Sequence, residues 1–115
     1  MVSKQDFYQY QAQTTDFSIG LEIEKAVGNY IYDTAGKAYL DFAAGVSVNT
    51  LGHSYPKVNQ AIINQLQKHA HVMVYGEYIQ KIPVELCKLL AENTPAGLET
   101  TYLVNSGAEA IDGAL

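Results

Sequence analysis

Thr100-Thr101-Tyr102-Leu103-Val104 runs directly into Asn105-Ser106-Gly107-Ala108-Glu109-Ala110, and no other stretch constrains the fold as much as this junction. The apolar residues before the junction are consecutive rather than alternating, which predicts a strand covered on both faces. Ala108 to Leu115 reads as a helix. With an amphipathic helix upstream, the order is helix, strand, tight turn, helix, the opening of a parallel α/β domain. A parallel sheet needs several strands, and the 115 residues supply only this one with the pattern of a strand covered on both faces. The last predicted helix ends on apolar Leu115 without a cap. The expectation is therefore the N-terminal portion of a longer protein.

The turn itself carries a chemical reading. Ser106 and Glu109 have the S-x-x-E spacing of a capping box, in which Ser106 takes the N–H of Glu109 and Glu109 reaches back to the N–H of Ser106. The amides of Gly107 and Ala108 are then left over at the positive end of the helix, where a phosphate is favoured. Gly107 has no side chain to obstruct an anion, Ala108 has almost none, and the Ser106 hydroxyl offers a third contact. A capped helix without any ligand satisfies the same pattern. Glu109 places negative charge near any bound dianion.

Upstream, residues 1–16 are polar and read as a lead-in arm with one helical turn. Ile19, Leu21 and Ile23 alternate with Gly20, Glu22 and Glu24, predicting a strand. Gly28-Asn29 makes a turn. Tyr30-Ile31-Tyr32 and Tyr39-Leu40-Asp41-Phe42 form a hairpin across Asp33-Thr34-Ala35-Gly36, whose terminal Asp and Gly suit a type I turn. Residues 43–53 are rich in small side chains and without period, and predict a loop. Ser54 is the expected cap, and Pro56 the first-turn proline, of a helix to about His69. A second helix is expected over Gln80 to Asn93, with Ile82, Leu86, Leu89 and Leu90 as its apolar stripe and Pro95-Ala96-Gly97 ending it. Cys87 lies beside that stripe and reads as a small, part-buried residue.

Charge narrows the function classes. Seven Lys, no Arg and twelve acidic residues give a net charge of −5, which argues against a nucleic-acid binder or a polybasic membrane surface. The nine Tyr lack interleaved basic residues and read as packing rather than as a base-stacking platform. One cysteine, Cys87, builds neither a disulfide framework nor a cysteine-rich metal site. His69 and His71 stand two apart, on different sides of a helix, so no metal site is expected. His53 is read as a hydrogen-bonding residue at a helix entry. The polar N-terminus lacks the apolar run of a signal peptide, and a cytoplasmic chain is the expectation.

Three motifs stand in fixed order: Tyr30-x-Tyr32-Asp33-x-x-Gly36-Lys37-x-Tyr39-Leu40-Asp41-Phe42, then Gly45-Val46-x-Val48-Asn49-x-Leu51-Gly52-His53-x-x-Pro56, then Val104-Asn105-Ser106-Gly107-Ala108-Glu109-Ala110. In this order and spacing they resemble the N-terminal region of class III, ornithine-type, pyridoxal-phosphate aminotransferases. The similarity covers residues 17 to 115, and the acetylornithine and ornithine branch is nearest. It implies fold type I, an α/β large domain beside a smaller α+β domain. On that pattern residues 1–16 are an arm, 17–55 the N-terminal part of the small domain, and 56–115 the start of the cofactor-binding large domain. It also implies a homodimer, pyridoxal 5′-phosphate (PLP) as cofactor, and transfer of an amino group from an amino acid or ω-amine to a 2-oxo acid.

Carried over by position, Ser106, Gly107 and Ala108 hold the cofactor phosphate, Val46, Ser47 and Val48 line the substrate entrance, and Tyr78 stands near the active site. The Schiff-base lysine, the acid at the pyridine nitrogen and the substrate-binding arginine belong to later sequence in this family. None of the seven lysines sits in the family's lysine motif, so this stretch alone is expected to be inactive. The acetylornithine branch also has a Ser-Asn pair ahead of its aromatic residue, whereas here the stretch is His71-Val72-Met73-Val74-Tyr75-Gly76-Glu77-Tyr78. Two alternatives stand beside this reading: a glutamate-semialdehyde-type aminomutase of the same fold, and a non-catalytic piece that acts only by self-association.

Overall fold

The computed structural model describes residues 3–73 and 76–115, in two compact units, Met1–Ala70 and His71–Leu115. The first unit begins with α1 (Lys4–Tyr10), where a single turn was expected. A capping box explains the longer helix. The Ser3 hydroxyl accepts the Asp6 N–H at 3.2 Å, and the Asp6 carboxylate accepts the Ser3 N–H at 2.9 Å.

A three-stranded antiparallel sheet follows, ordered β1 (Ile23–Val27), β2 (Tyr30–Asp33), β3 (Ala38–Leu40). The first strand thus lies downstream of the alternating stretch that begins at Ile19. A ladder is as long as its partner: β2 ends at Asp33, which pairs with Ile23, so the extended backbone before Ile23 has little to bond. Val27 pairs with Tyr30 across the two-residue Gly28-Asn29 loop, and Ile31 pairs with Tyr39 on the next ladder. The expected Asp33–Gly36 turn is built by Asp33 itself. Its carboxylate accepts the N–H groups of Ala35 at 3.0 Å and Lys37 at 2.9 Å and the hydroxyl of Tyr39 at 2.9 Å.

After β3 come a short turn, α2 (Ala44–Ser47), and then α3 (Pro56–Leu66). Ser54 does not cap α3. Tyr55 holds the cap position without a side-chain bond, and the Ser54 hydroxyl donates to the Ala26 carbonyl at 2.8 Å instead. In the second unit, α4 (Lys81–Asn93) and α5 (Gly107–Ala114) form within a residue or so of expectation. Thr100–Val104 does not form the predicted strand, because a strand needs a bonded neighbour and the only sheet among the described residues is β1-β2-β3.

No described residue is buried. The stripe of α3 leaves Val58 43%, Ile62 53% and Leu66 58% exposed, and that of α4 leaves Ile82 51% and Leu89 57% exposed. Full burial of one such side chain is worth roughly 1.5–3 kcal/mol, so both helices carry unused apolar surface. None of the described helices is long and apolar enough to cross a membrane.

Candidate functional site

The turn into α5 keeps most of its expected geometry. Ser106 is extended (φ −145°, ψ 158°) at the cap position, and its hydroxyl oxygen accepts the Glu109 N–H at 3.2 Å. The return half of the box differs from expectation. Glu109 Oε2 accepts the N–H of Asn105 at 2.9 Å and the hydroxyl of Ser106 at 3.1 Å, rather than the Ser106 N–H. Among the described residues, neither the Gly107 nor the Ala108 N–H has an acceptor. Gly107 has nothing within 4 Å of where a Cβ would stand.

The small-residue loop is more ordered than a loop without period suggests. Ala44, Gly45, Val46 and Ser47 all have positive φ, at 45°, 62°, 62° and 65°. Together they make one left-handed turn, closed by Ser47 N–H to Ala43 C=O at 3.0 Å and Val48 N–H to Ala44 C=O at 3.0 Å. A left-handed conformation costs an L-residue roughly 1–2 kcal/mol, most severely a β-branched one such as Val46. A Cβ at Gly45 would stand 2.9 Å from Cγ2 of Val48 and 3.0 Å from Nδ2 of Asn49, so a side chain there would have to displace theirs. Val46 and Val48 are 88% and 74% exposed.

The ends of this loop are tied to the hairpin. Asp41 N–H donates to the Asn29 carbonyl at 2.8 Å, and Gly28 and His53 exchange two backbone bonds at 3.0 and 2.7 Å. Gly52 (φ +81°) sits against that bridge, where a Cβ would come within 3.0 Å of the Gly28 carbonyl oxygen. His53, just ahead of α3, hydrogen-bonds as expected, but to the segment before the loop rather than to the helix: its Nε2 lies 2.6 Å from Oδ2 of Asp41. A carboxylate only accepts, so Nε2 carries the proton. Oδ1 of Asp41 accepts the N–H groups of Ala43 and Ala44, each at 3.0 Å. The bond from His53, then that from Ala44, hold the Asp41 carboxyl below the ordinary aspartate range. The Asp41–His53 pair was missed in the sequence because its members stand 12 residues apart with no local pattern linking them.

Tyr78, 55% exposed, lines an open hollow of the second unit with Met73, Gln80, Val84, Cys87 and Leu103. Gln80 Nε2 donates to the Met73 carbonyl at 2.8 Å and braces one side of it. Ser106, Gly107 and Ala108 do not line this hollow. Val74 and Tyr75, within the stretch that departs from the family pattern, lie outside the described residues.

Across the chain, the family profile described as Aminotransferase class-III matches residues 10–115. The chain belongs to the class III aminotransferases. It is 40% identical over 91 residues to the succinylornithine transaminase of Photorhabdus laumondii, covering 79% of this chain and 22% of that protein. It is 43% identical over 90 residues to the acetylornithine aminotransferase of Methanocaldococcus jannaschii, covering 76% and 21%. Among solved structures, the ornithine aminotransferase of Toxoplasma gondii superposes with a TM-score of 0.78 at 28% identity, over 97% of this chain and 26% of that one. The chain thus spans about a fifth of the length of these curated relatives. The aminomutase and self-association alternatives are not favoured by these similarities.

PLP is the cofactor of class III aminotransferases, and the Toxoplasma enzyme carries it at partial occupancy in its active site. The residues present here fit its phosphate. Two unpartnered amides, a hydroxyl and an open approach at Gly107 stand together at a helix N-terminus. Glu109 is the one unfavourable group, since its carboxylate is bonded to the same Ser106 hydroxyl.

Proposed function

We propose that this chain supplies the N-terminal part of a PLP-dependent aminotransferase that moves an amino group from an amino acid or ω-amine to a 2-oxo acid. The observation that carries the reading is the pair of unpartnered N–H groups at Gly107 and Ala108, at the start of α5 in a chain matching the class III profile over residues 10–115. In this reading those amides and the Ser106 hydroxyl bind the cofactor phosphate. Val46, Ser47 and Val48 line the substrate entrance, with Tyr78 near the active site. When bound, PLP supplies the electron sink that makes amino-group transfer possible. The protein's part is to hold its phosphate and to orient the donor.

The names of the relatives favour an N-acylated ornithine as donor. Residues 1–16 serve as an arm, 17–55 as part of a small domain, and 56–115 as the start of the large domain. The unused apolar faces of α3 and α4 support further packing, within a longer cytoplasmic chain and across a homodimer interface.

The test is to express the complete native reading frame, titrate it with PLP and follow its absorbance. Amino transfer from N-acetylornithine and N-succinylornithine to 2-oxoglutarate is then assayed. Stoichiometric PLP and turnover that requires the 2-oxo acid are expected. Turnover without any 2-oxo acid, or no turnover with PLP bound, would refute the reading.

A further inference from the structure

Three non-glycine residues, Ala44, Val46 and Ser47, are held at positive φ in a turn that exposes its valines to solvent. Such a conformation persists only where surrounding contacts over-determine it. Here those contacts converge on one carboxylate. Oδ1 of Asp41 takes the N–H groups of Ala43 and Ala44, which lead into the turn, and Oδ2 takes Nε2–H of His53, which leads out of it. Both residues are anchored through their backbones to the Gly28-Asn29 loop, and their side chains are only 11% and 19% exposed. Asp41 therefore closes residues 42–52 into a ring whose rim is Val46, Ser47 and Val48.

We propose that Asp41, with His53 as its partner, is a positioning residue that fixes the left-handed turn so that Val46, Ser47 and Val48 meet the amino donor in one preset geometry. The inference rests on the reading of those three residues as the substrate entrance. It adds the element that holds them. Neither side chain touches the donor. Their effect passes through the backbone they hold: a displaced rim loses donor contacts made equally in the ground state and the transition state, which raises KM and leaves kcat.

The experiment uses the full-length holoenzyme with Asp41→Ala, Asp41→Asn and His53→Gln. Steady-state kinetics with N-acetylornithine, PLP content by absorbance, and hydrogen–deuterium exchange over residues 43–52 are measured on each. Asp41→Ala is expected to raise the donor KM roughly tenfold, with kcat and PLP content within about twofold. Amide exchange at Ala43, Ala44 and Val48 should accelerate in the same variant. Asp41→Asn keeps an oxygen for the Ala43 and Ala44 amides and should recover most of the donor KM. If Asp41→Ala is too poorly folded to assay, His53→Gln tests the same ring from its other end. A donor KM unchanged in Asp41→Ala, or in His53→Gln where Asp41→Ala cannot be assayed, or a fall in PLP content at unchanged KM, overturns the proposal. If the wild-type protein transfers no amino group, the functional reading fails by itself. The holding of the turn is still decided by exchange, and unchanged exchange in the variants overturns it.

Discussion

Glu109 is the residue whose two roles oppose each other. It completes the cap of α5 through Asn105 and Ser106, and it sets a negative charge beside the amides proposed to bind phosphate. Glu109→Gln keeps an oxygen for both bonds and removes the charge. It is expected to tighten PLP binding about two- to fivefold, the size of one screened surface charge, as read by absorbance titration. Ser106→Asp should do the reverse: the cap survives, stability stays near wild type, and PLP affinity falls. Ser106→Ala should lose the cap as well, at about 1 kcal/mol, measured by urea denaturation of the full-length protein. Gly52→Ala would set a Cβ 3.0 Å from the Gly28 carbonyl oxygen at φ +81°. A loss of roughly 1–2 kcal/mol is expected, with Gly113→Ala in α5, which meets only Tyr102 at 4.0 Å, as the near-neutral control.

At the scale of elements, two carboxylates organise the first unit. The N–H of Lys37, then the hydroxyl of Tyr39, hold the Asp33 carboxyl below its ordinary range, and the His53 bond does the same for Asp41. A carboxyl whose folded pKa is depressed adds stability above its unfolded value of about 3.9, and that contribution is lost as pH falls through the lower folded value. The β2–β3 turn and the loop beyond it should therefore loosen in acid and not in mild alkali. Asp33→Asn is expected to be less stable than wild type at neutral pH and to show a shallower stability loss below about pH 4, as followed by unfolding curves at stepped pH. By contrast, the Lys81–Glu85 and Lys88–Glu92 pairs on α4 are exposed, at 3.5 and 3.8 Å. Each is worth a few tenths of a kcal/mol and will not set the acid limit.

At the scale of the whole molecule, the described residues form their elements without any of them being buried. Stability normally comes from buried apolar area set against chain entropy, and little area is buried here. The isolated 115-residue chain is expected to melt without a cooperative transition and to bind the dye ANS. A sharp two-state melt of a monomer, followed by circular dichroism and sedimentation, would contradict this.

The sequence by itself determined the local elements and the family. Helices α3, α4 and α5, the Asp33–Gly36 turn, and the Ser106 cap all follow from side-chain spacing and turn chemistry, which act over a few residues. The phosphate-binding candidates Ser106, Gly107 and Ala108 were legible for the same reason, because a helix N-terminus is a local object. Only the tertiary structure placed β1, since its limits depend on where β2 stops. It alone redirected Ser54 to the Ala26 carbonyl, joined Asp41 to His53, and twisted Ala44–Ser47 into a left-handed turn that no propensity favours. Those features depend on groups far apart in sequence that meet in space, and spacing along the chain carries no record of such meetings.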